Sequence, residues 1–513
     1  MSSALDEVLE GFEPSPQIVS VMAGSRPAVV LGLDIGTSGI RATLFDERGE
    51  EIEGASVRLP WPAVDDETAF NAELRLSWIE KAIDDLLSRS TSIDSQIQLI
   101  SISCFWHSLV GVAADGSSTT PVFTWASTEA TDAARELREL FDEPPIHART
   151  GCRLHPSYWP AKLHWLRQKH HEAVAATRYW MSFGEFLVLQ LCGETAASIS
   201  MASGTGLCNQ QLCEWDAELA AALNIRIETL PELASSHTTF QGLTSRYATR
   251  WPELSEAKFF PAIGDGAANA IGSACTTRAN LALMVGSSGA MRLMHRGEPP
   301  AQLPPELWCY RADENRIILG GALSDGGNLY EWLRVSLLPG EEDESIEQSL
   351  ALLEPDAHGL TILPFWFGER STGWSLKAKG TILGLTNKTE PIEILHAAME
   401  AVAYRFALIH RALAPFAPGA AIIASGTALR CSPSWIKILA DVLGTPITLS
   451  TYRESSTLGA ALLALEAAGK IENIETRNVV SGVTFEPDLS QHARYQAGLE
   501  RQQRCYQQLI GEI

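Results

Sequence analysis

The chain has 513 residues, 45% of them hydrophobic, which is enough for two large domains that each bury a core. Its formal net charge of -23 at pH 7 and its pI near 5.0 argue against nucleic acid or an anionic membrane surface as a partner, although a local basic pocket is compatible with both values. Nine cysteines lie between Cys104 and Cys505 without a CxxC pair or a histidine-linked spacing, so neither a zinc site nor a disulfide framework is indicated. We expect reduced thiols in a cytoplasmic protein.

The first 27 residues stand apart from the rest of the chain. The segment from Met1 to Arg26 contains several acidic residues and lacks the basic start and long apolar core of a secretory signal, so we expect a flexible N-terminal extension. No stretch approaches the ~18 consecutive apolar residues of a spanning helix. The sequence therefore predicts a soluble protein with no membrane partner.

The segment LGLDIGTSGIRATLFDERGE, from Leu31 to Glu50, predicts a β-hairpin with a phosphate-binding turn. Val29 to Leu33 form a buried strand in this interpretation, and Ile40 to Phe45 form the second strand. Glycines let backbone N–H groups approach phosphate oxygens, hydroxyls add donors, and Asp34 is placed to hold Mg²⁺ through water. The turn consists of Gly36, Thr37, Ser38 and Gly39. An ordinary Gly-rich hairpin remains the alternative, because the spacing matches neither a Walker A loop nor a Rossmann fingerprint.

A second hairpin of the same kind follows half a chain later, in NLALMVGSSGAMRLMHRGE from Asn280 to Glu298. Its turn consists of Gly286, Ser287, Ser288 and Gly289. One such hairpin in each half indicates an internal duplication. The arrangement resembles the ATPase fold shared by sugar kinases, hexokinase, actin and the heat-shock ATPases, in which two ribonuclease H-like α/β domains close on one nucleotide across a cleft. The resemblance implies a first domain over residues 28–272 and a second over 273–513.

The segment KGTILGLTNKTEPIEILHAAMEAVAYRFALI, from Lys379 to Ile409, passes from a Gly-bounded turn into an amphipathic helix that begins near Pro391. It resembles the C-terminal signature of the FGGY carbohydrate kinase family at Gly380, Ile382, Gly384, Leu385, Glu393, Ile394, Ala397, Ala398, Met399 and Glu400. The resemblance extends from about Val29 to about Ala468. It includes LPFWFGER, from Leu363 to Arg370, and AIGDGAANAIGS, from Ala262 to Ser273.

Within that family, two segments are most similar to gluconokinases: CFWHSLVGVAADGSSTTPVFTW, from Cys104 to Trp125, and TGCRLHPSYWPAKLHWL, from Thr150 to Leu166. The resemblance implies the ATP-dependent phosphorylation of a sugar or sugar acid, with D-gluconate as the leading acceptor and Mg²⁺ as the cofactor. It is also compatible with a homodimer, although the sequence does not determine the oligomeric state.

Asp265 lies in a Gly-Asp-Gly turn before an Ala-rich helix, where a short carboxylate can face a cleft. The resemblance implies that Asp265 is the catalytic base, contacts the acceptor and, with Asp34, faces the metal. The residues alone also allow a structural role, in which Asp265 caps the helix through the N–H group of Ala267 or Ala268.

The resemblance also implies the nucleotide contacts. Arg41 and Ser287 stand where relatives usually carry Lys and Thr, and both keep a cation or a hydroxyl in the phosphate cradle. The segment IIASGTALRCSPSWIKILADVLGTPI, from Ile422 to Ile447, resembles the adenosine-binding motif, with its turn at Gly426, Thr427 and Ala428 and a helix that ends near Gly444. A strand, turn and helix without a ligand is the alternative.

The candidate acceptor residues lie in the gluconokinase-like segments. His107 and Ser108 follow the apolar strand from Leu99 to Ser103, Trp125 offers a stacking wall, and Lys162 is a candidate cation. For an anionic acceptor, Lys162 and Arg153 are candidates to bind the carboxylate. A histidine near a strand end is often structural, which is the alternative for His107 and the expectation for His155.

Three departures from the gluconokinase pattern leave the acceptor open. Ser127 and Glu129 replace the usual Asp and Arg after Trp125, and Ser198 stands where relatives usually have Asp. Three hypotheses follow: a gluconate kinase, an FGGY kinase for a pentulose, a polyol or another aldonate, and a non-catalytic nucleotide-binding module in the manner of actin.

Overall fold

The computed structural model describes residues 28–62, 68–89, 95–452, 454–478 and 482–511. The predicted N-terminal extension, residues 1–27, lies outside them. Across the described helices, none combines the length and the apolar character needed to cross a membrane.

The first half of the chain forms one large sheet with helices packed around it. In chain order its elements are β1 (Ala28–Ile35), β2 (Gly39–Phe45), β3 (Glu51–Pro60), β4 (Ala69–Phe70), α1 (Ala72–Arg89), β5 (Ser95–Cys104), β6 (Val110–Val112), β7 (Val122–Phe123), α2 (Thr131–Leu140), α3 (Glu143–Thr150), α4 (Trp159–Lys169), α5 (His171–Ala176), β8 (Tyr179–Met181), α6 (Phe183–Cys192), β9 (Ala197–Ser198), α7 (Ile199–Ser203), β10 (Cys208–Asn209), β11 (Glu214–Trp215), α8 (Ala217–Ala222), β12 (Leu233–Ala234), β13 (Phe240–Gln241), α9 (Ser245–Arg250), β14 (Lys258–Phe259), β15 (Ile263–Gly264) and α10 (Asp265–Gly272).

The second half forms another large sheet. Its elements are β16 (Asn280–Val285), β17 (Gly289–Arg296), β18 (Trp308–Arg311), β19 (Arg316–Leu323), α11 (Gly327–Leu337), α12 (Asp343–Leu350), β20 (Thr361–Leu363), β21 (Thr381–Leu383), α13 (Pro391–Leu413), β22 (Ala421–Ser425), α14 (Thr427–Cys431), α15 (Pro433–Leu443), β23 (Ile447–Leu449), α16 (Ser455–Ala467), β24 (Thr484–Phe485) and α17 (Leu489–Leu509). Short 3₁₀ turns add Ile227–Thr229, Pro252–Leu254 and Ile474–Thr476.

The two sheets repeat one topology, which confirms the predicted fold class. Each sheet has seven strands among the described residues, and five of them correspond: β3-β2-β1-β5-β14 in the first and β19-β17-β16-β22-β23 in the second. In each, the first three strands are antiparallel and the next two add in parallel. Both predicted hairpins form, as β1 with β2 and β16 with β17, and the predicted signature helix begins at Pro391 with Glu390 and Glu393 in a capping box.

A helix from the end of the chain completes the core of the first sheet. Helix α16 packs on β1, on β5 and along α10, and its apolar residues belong to the core of the first half. Helices α10 and α16 touch backbone to backbone, because a Cβ atom added at Gly459 would lie 1.8 Å from the carbonyl oxygen of Ala268. The helix that begins with Asp265 is therefore held by a segment almost 200 residues further along.

Candidate active site

Three strands end together at one edge of the first sheet and bring two carboxylates to it. Strand β1 pairs in parallel with β5 so that Asp34 lies opposite Ser103, and β15 pairs with the same strand so that Gly264 lies opposite Cys104. Asp265 follows Gly264 directly. Because neighbouring strands lie about 5 Å apart, the backbones of Asp34 and Asp265 stand about 10 Å apart on either side of β5.

Asp34 is buried in a short chain of charged groups. One carboxylate oxygen accepts a hydrogen bond from Ser103 Oγ at 2.7 Å, and the other accepts from Arg41 Nη1 at 2.8 Å. The Nε atom of Arg41 lies 2.7 Å from a carboxylate oxygen of Glu454, a residue that the sequence did not single out. Each oxygen of Asp34 accepts one bond and keeps a further lone pair, which is compatible with the predicted contact to Mg²⁺ through water.

Asp265 is the first residue of α10, and Gly264 takes the capping position before it. Its Oδ1 atom accepts a hydrogen bond from the Gly266 amide at 2.8 Å, instead of from Ala267 or Ala268 as the capping alternative required. Burial raises the pKa of Asp265, the buried Arg292 guanidinium opposes that rise, and the charge of Asp34 adds to it. A half-buried carboxylate with a raised pKa accepts a proton more readily, which suits a general base that must also reach a substrate.

The second sheet presents its small-residue turns in the same way. Strands β16 and β22 pair in parallel with Met284 opposite Ser425, so the turn at residues 286–289 and the turn at 426–428 leave adjacent strand ends. Gly426 has a φ of 103°, and a Cβ atom there would lie 2.2 Å from the carbonyl oxygen of Val285. Only glycine fits this close approach between the two predicted nucleotide-binding turns.

The start of α11 joins these two turns. The amide of Gly327 donates to the carbonyl of Gly286 at 2.8 Å, and the next amide donates to the carbonyl of Ser287 at 3.0 Å. A Cβ atom at Gly327 would also lie 3.1 Å from Cβ of Ala428. Three backbone segments with small residues therefore meet where the nucleotide is expected. Ser38 and Ser287, at the tips of the two hairpins, are exposed to solvent.

The candidate acceptor residues include a buried neutral histidine. His107 has a φ of 69°, and its Nδ1 atom is hydrogen-bonded to the carbonyl oxygen of Gly204. Burial lowers the pKa of His107 to about 3, so the ring is neutral at pH 7. Because a carbonyl only accepts, Nδ1 carries the proton and Nε2 is left as an acceptor for a ligand hydroxyl. The ring packs edge-on against Tyr158 and Tyr310, whose hydroxyls are 2.6 Å apart.

Lys162, Ser108 and Arg153 have protein partners instead. The Lys162 ammonium is buried and donates to the carbonyl oxygens of His107 and Thr124, both at 2.7 Å. Ser108 is also buried, and its Oγ accepts from the backbone amide of Phe183. Arg153 is ion-paired with Glu143 at 2.6 Å. These contacts favour structural roles for all three residues, in place of the acceptor contacts expected for them from the sequence.

The departures from the gluconokinase pattern lie in different places. Glu129 is exposed and Ser127 is buried. The Ser198 hydroxyl donates to the carbonyl oxygen of Ala262 at 2.6 Å, just before the strand that leads to Asp265. His155 is buried and bonded to Ser157 and to the carbonyl of Glu369, as expected for a structural residue.

Two buried arginines beside the site were missed by sequence reasoning. The Arg370 guanidinium lies 4.5 Å from the centre of the Trp125 ring, and Arg292 packs so closely on the residue after Asp265 that a Cβ atom at Gly266 would lie 2.8 Å from its Nε. The sequence signal that could have identified Arg292 is its charge within the otherwise apolar strand segment GAMRLM. Arg370 stood within the quoted LPFWFGER segment, but nothing in the sequence told whether its side chain was already paired.

Residues 29–272 match the family model described as the FGGY family of carbohydrate kinases, N-terminal domain, and residues 293–468 match its C-terminal domain. The chain belongs to the FGGY family of carbohydrate kinases. This FGGY kinase therefore uses ATP to phosphorylate a small-molecule sugar substrate.

Several relatives of the kinase share most of its length. It is 26% identical over 470 residues to the gluconokinase of Bacillus subtilis (strain 168), an alignment that covers 89% of this chain and 91% of that protein. It is 29% identical over 476 residues to the glycerol kinase of Paracidovorax citrulli (strain AAC00-1), with 86% and 91% covered. The crystal structure of gluconate kinase from Lactobacillus acidophilus has a TM-score of 0.83 to it at 26% identity, with 94% and 98% covered.

Proposed function

We propose that this FGGY kinase transfers the γ-phosphoryl group of ATP to the 6-hydroxyl of D-gluconate, forming 6-phospho-D-gluconate and ADP. The observation that carries the proposal is the half-buried carboxylate of Asp265 at the start of α10, beside the buried guanidinium groups of Arg292 and Arg370 from the second half of the chain. The similarity to a gluconokinase and to a gluconate kinase structure supports the choice of acceptor.

In the proposed reaction, Asp265 accepts the proton of the attacking hydroxyl as the new O–P bond forms and the bond to the β,γ-bridging oxygen breaks. The two hairpin turns supply backbone N–H groups to the phosphates, and the turn at Gly426 accommodates the adenosine. Asp34 and Asp265 would hold Mg²⁺, which neutralises polyphosphate charge when it is bound. His107 would accept a hydrogen bond from an acceptor hydroxyl through Nε2.

The test is a coupled ADP-release assay with Mg-ATP against gluconate, other aldonates, pentuloses, glycerol and erythritol, on the wild type and on Asp265→Asn. We expect gluconate to give the highest kcat/KM, and Asp265→Asn to lower kcat by about 10²- to 10⁴-fold, because the base is lost. The affinity for an ATP analogue should be unchanged, and Asp115→Asn, at an exposed loop carboxylate, should behave like the wild type. Wild-type turnover by Asp265→Asn would refute the assignment of the base.

A second candidate is an FGGY kinase for a neutral acceptor, which the 29% identity to a glycerol kinase and the replacement of the usual Asp by Ser127 favour. The same panel separates the two candidates. A highest kcat/KM with glycerol, erythritol or a pentulose would replace gluconate. A protein that binds ATP tightly while no acceptor stimulates ADP release would instead be a nucleotide-binding module.

A further inference from the structure

Arg292 is a buried cation, and some of the N–H donors of its guanidinium are not used by the rest of the described chain. It lies on β17, three residues after the second phosphate turn, and is only 6% exposed. Its Nε and Nη1 atoms are buried without a hydrogen-bond partner among the described residues. Burial lowers its pKa to about 10, which leaves the side chain charged at pH 7. An unpaired buried N–H group of a charged side chain is costly, so two such groups on one guanidinium call for a partner that binds there.

Arg370 is a second such cation, contributed by the loop between β20 and β21. It is 8% exposed, its Nη2 donates to the carbonyl oxygen of Leu323 at 2.7 Å, and its Nε has no partner within the described part of the chain. The preceding residue, Glu369, is fixed by the Arg405 guanidinium, by the Tyr506 hydroxyl at 2.6 Å and by two backbone amides. The loop therefore holds Arg370 against Trp125 before any ligand arrives.

The two guanidinium groups are close enough to repel each other, and both sense the charge of Asp265 and the hydroxyl of Tyr310. Asp325 also lies near Arg370, but burial raises its pKa to about 7, so it carries only part of a negative charge at neutral pH. Two buried positive charges thus face the Asp265 carboxylate and a partly protonated Asp325. A further anion would balance the charge of the site.

We propose that Arg292 and Arg370 bind the carboxylate of the acceptor and thereby select sugar acids over neutral sugars. The proposal rests on the proposed phosphorylation of an acceptor at Asp265. Guanidinium groups match a carboxylate through paired N–H donors, and the free donors lie on both arginines. They take the place of Lys162, whose side-chain nitrogen donates to backbone carbonyls, and of Arg153, which is ion-paired with Glu143.

The test compares D-gluconate with D-glucitol, which differs from it only in carrying CH₂OH in place of the carboxylate. We expect the wild type to favour gluconate, and Arg292→Gln and Arg370→Gln each to lower kcat/KM for gluconate by about 10- to 100-fold, because a charge-assisted hydrogen bond is lost. At a pH above the acidic limb of the profile, where Asp265 is ionised in every variant, the values for glucitol and the KM for ATP should change little. Arg370→Lys, which keeps the charge without the planar fork, should lie between the wild type and Arg370→Gln.

Arg311 offers the matched control, because it is also a buried arginine but its guanidinium donates to Gln210, Glu314 and Glu298. Arg311→Gln should lower the melting temperature without changing the ratio of the two acceptors. Gluconate should raise the melting temperature of the nucleotide-free wild type, and that shift should vanish in Arg370→Gln. An unchanged acceptor ratio in both arginine variants would overturn the proposal.

The remaining outcomes separate this proposal from the gluconate assignment. An equal loss with gluconate and glucitol would assign the arginines to the transferred phosphoryl group and overturn the carboxylate site. A wild type that prefers another aldonate, with the arginine variants selectively losing it, would refute gluconate but support the carboxylate site. A wild type that prefers a neutral acceptor would overturn both.

Discussion

The substitution Gly426→Ala tests whether the close approach of the two nucleotide-binding turns is needed for ATP binding. A Cβ atom at this position would lie 2.2 Å from the carbonyl oxygen of Val285, the residue directly before the second phosphate turn. An ordinary contact begins at 3.4 Å, so one of the two turns would have to move by about 1 Å. The φ of 103° adds the strain of a left-handed conformation, worth about 1–2 kcal/mol.

Displacement of this size should weaken ATP binding by at least about 10-fold, because a ~1 Å misplacement of positioning groups can cost as much as 10²-fold. The assay is isothermal titration with a non-hydrolysable ATP analogue. The control is Gly419→Ala, which shares the positive φ, at 72°, but has no atom within 4 Å of the added Cβ. Wild-type affinity in Gly426→Ala would refute the reasoning, as would an equal loss of affinity in both variants.

Three further predictions test the site and its support. Asp265 must be ionised to accept a proton, so kcat/KM should rise with pH through its pKa. Because Arg292 lowers that pKa, Arg292→Gln should move the acidic limb of the pH profile to higher pH. An unmoved limb would contradict the assignment of Asp265 as the base. Lys162→Met should lower the free energy of unfolding, measured by denaturant titration, by about 1–3 kcal/mol for each backbone carbonyl left unsatisfied. The ratio of kcat/KM for gluconate and glucitol should stay the same, and a changed ratio would restore the role of Lys162 as an acceptor contact. Gly459→Ala should push α16 away from α10 and thereby lower both the melting temperature and kcat. Wild-type values of both would show that the contact between these helices does not position Asp265.

Much of the fold was predictable because its signals are local. A buried strand, a small-residue turn and a second strand identify each hairpin within about twenty residues, and Pro391 after Glu390 marks the start of the signature helix. The pairing of α10 with α16 was not predictable, because it joins segments almost 200 residues apart through glycine and alanine contacts that have no distinct pattern in the sequence.

The sequence by itself determined the family, the two hairpins with small-residue turns and the position of Asp265 at a helix start, because backbone turns and helix starts depend on residues next to one another. Only the tertiary structure decided which cations are available to a ligand. Lys162 donates to backbone carbonyls, and Arg153 is ion-paired with Glu143 although its Nε has no partner among the described residues. Arg292 and Arg370 keep buried donors without partners there and also sense the charge of Asp265. The physical reason is that hydrogen-bond satisfaction depends on groups brought together from distant parts of the chain, such as Arg370 and Trp125, which lie on different halves of the molecule.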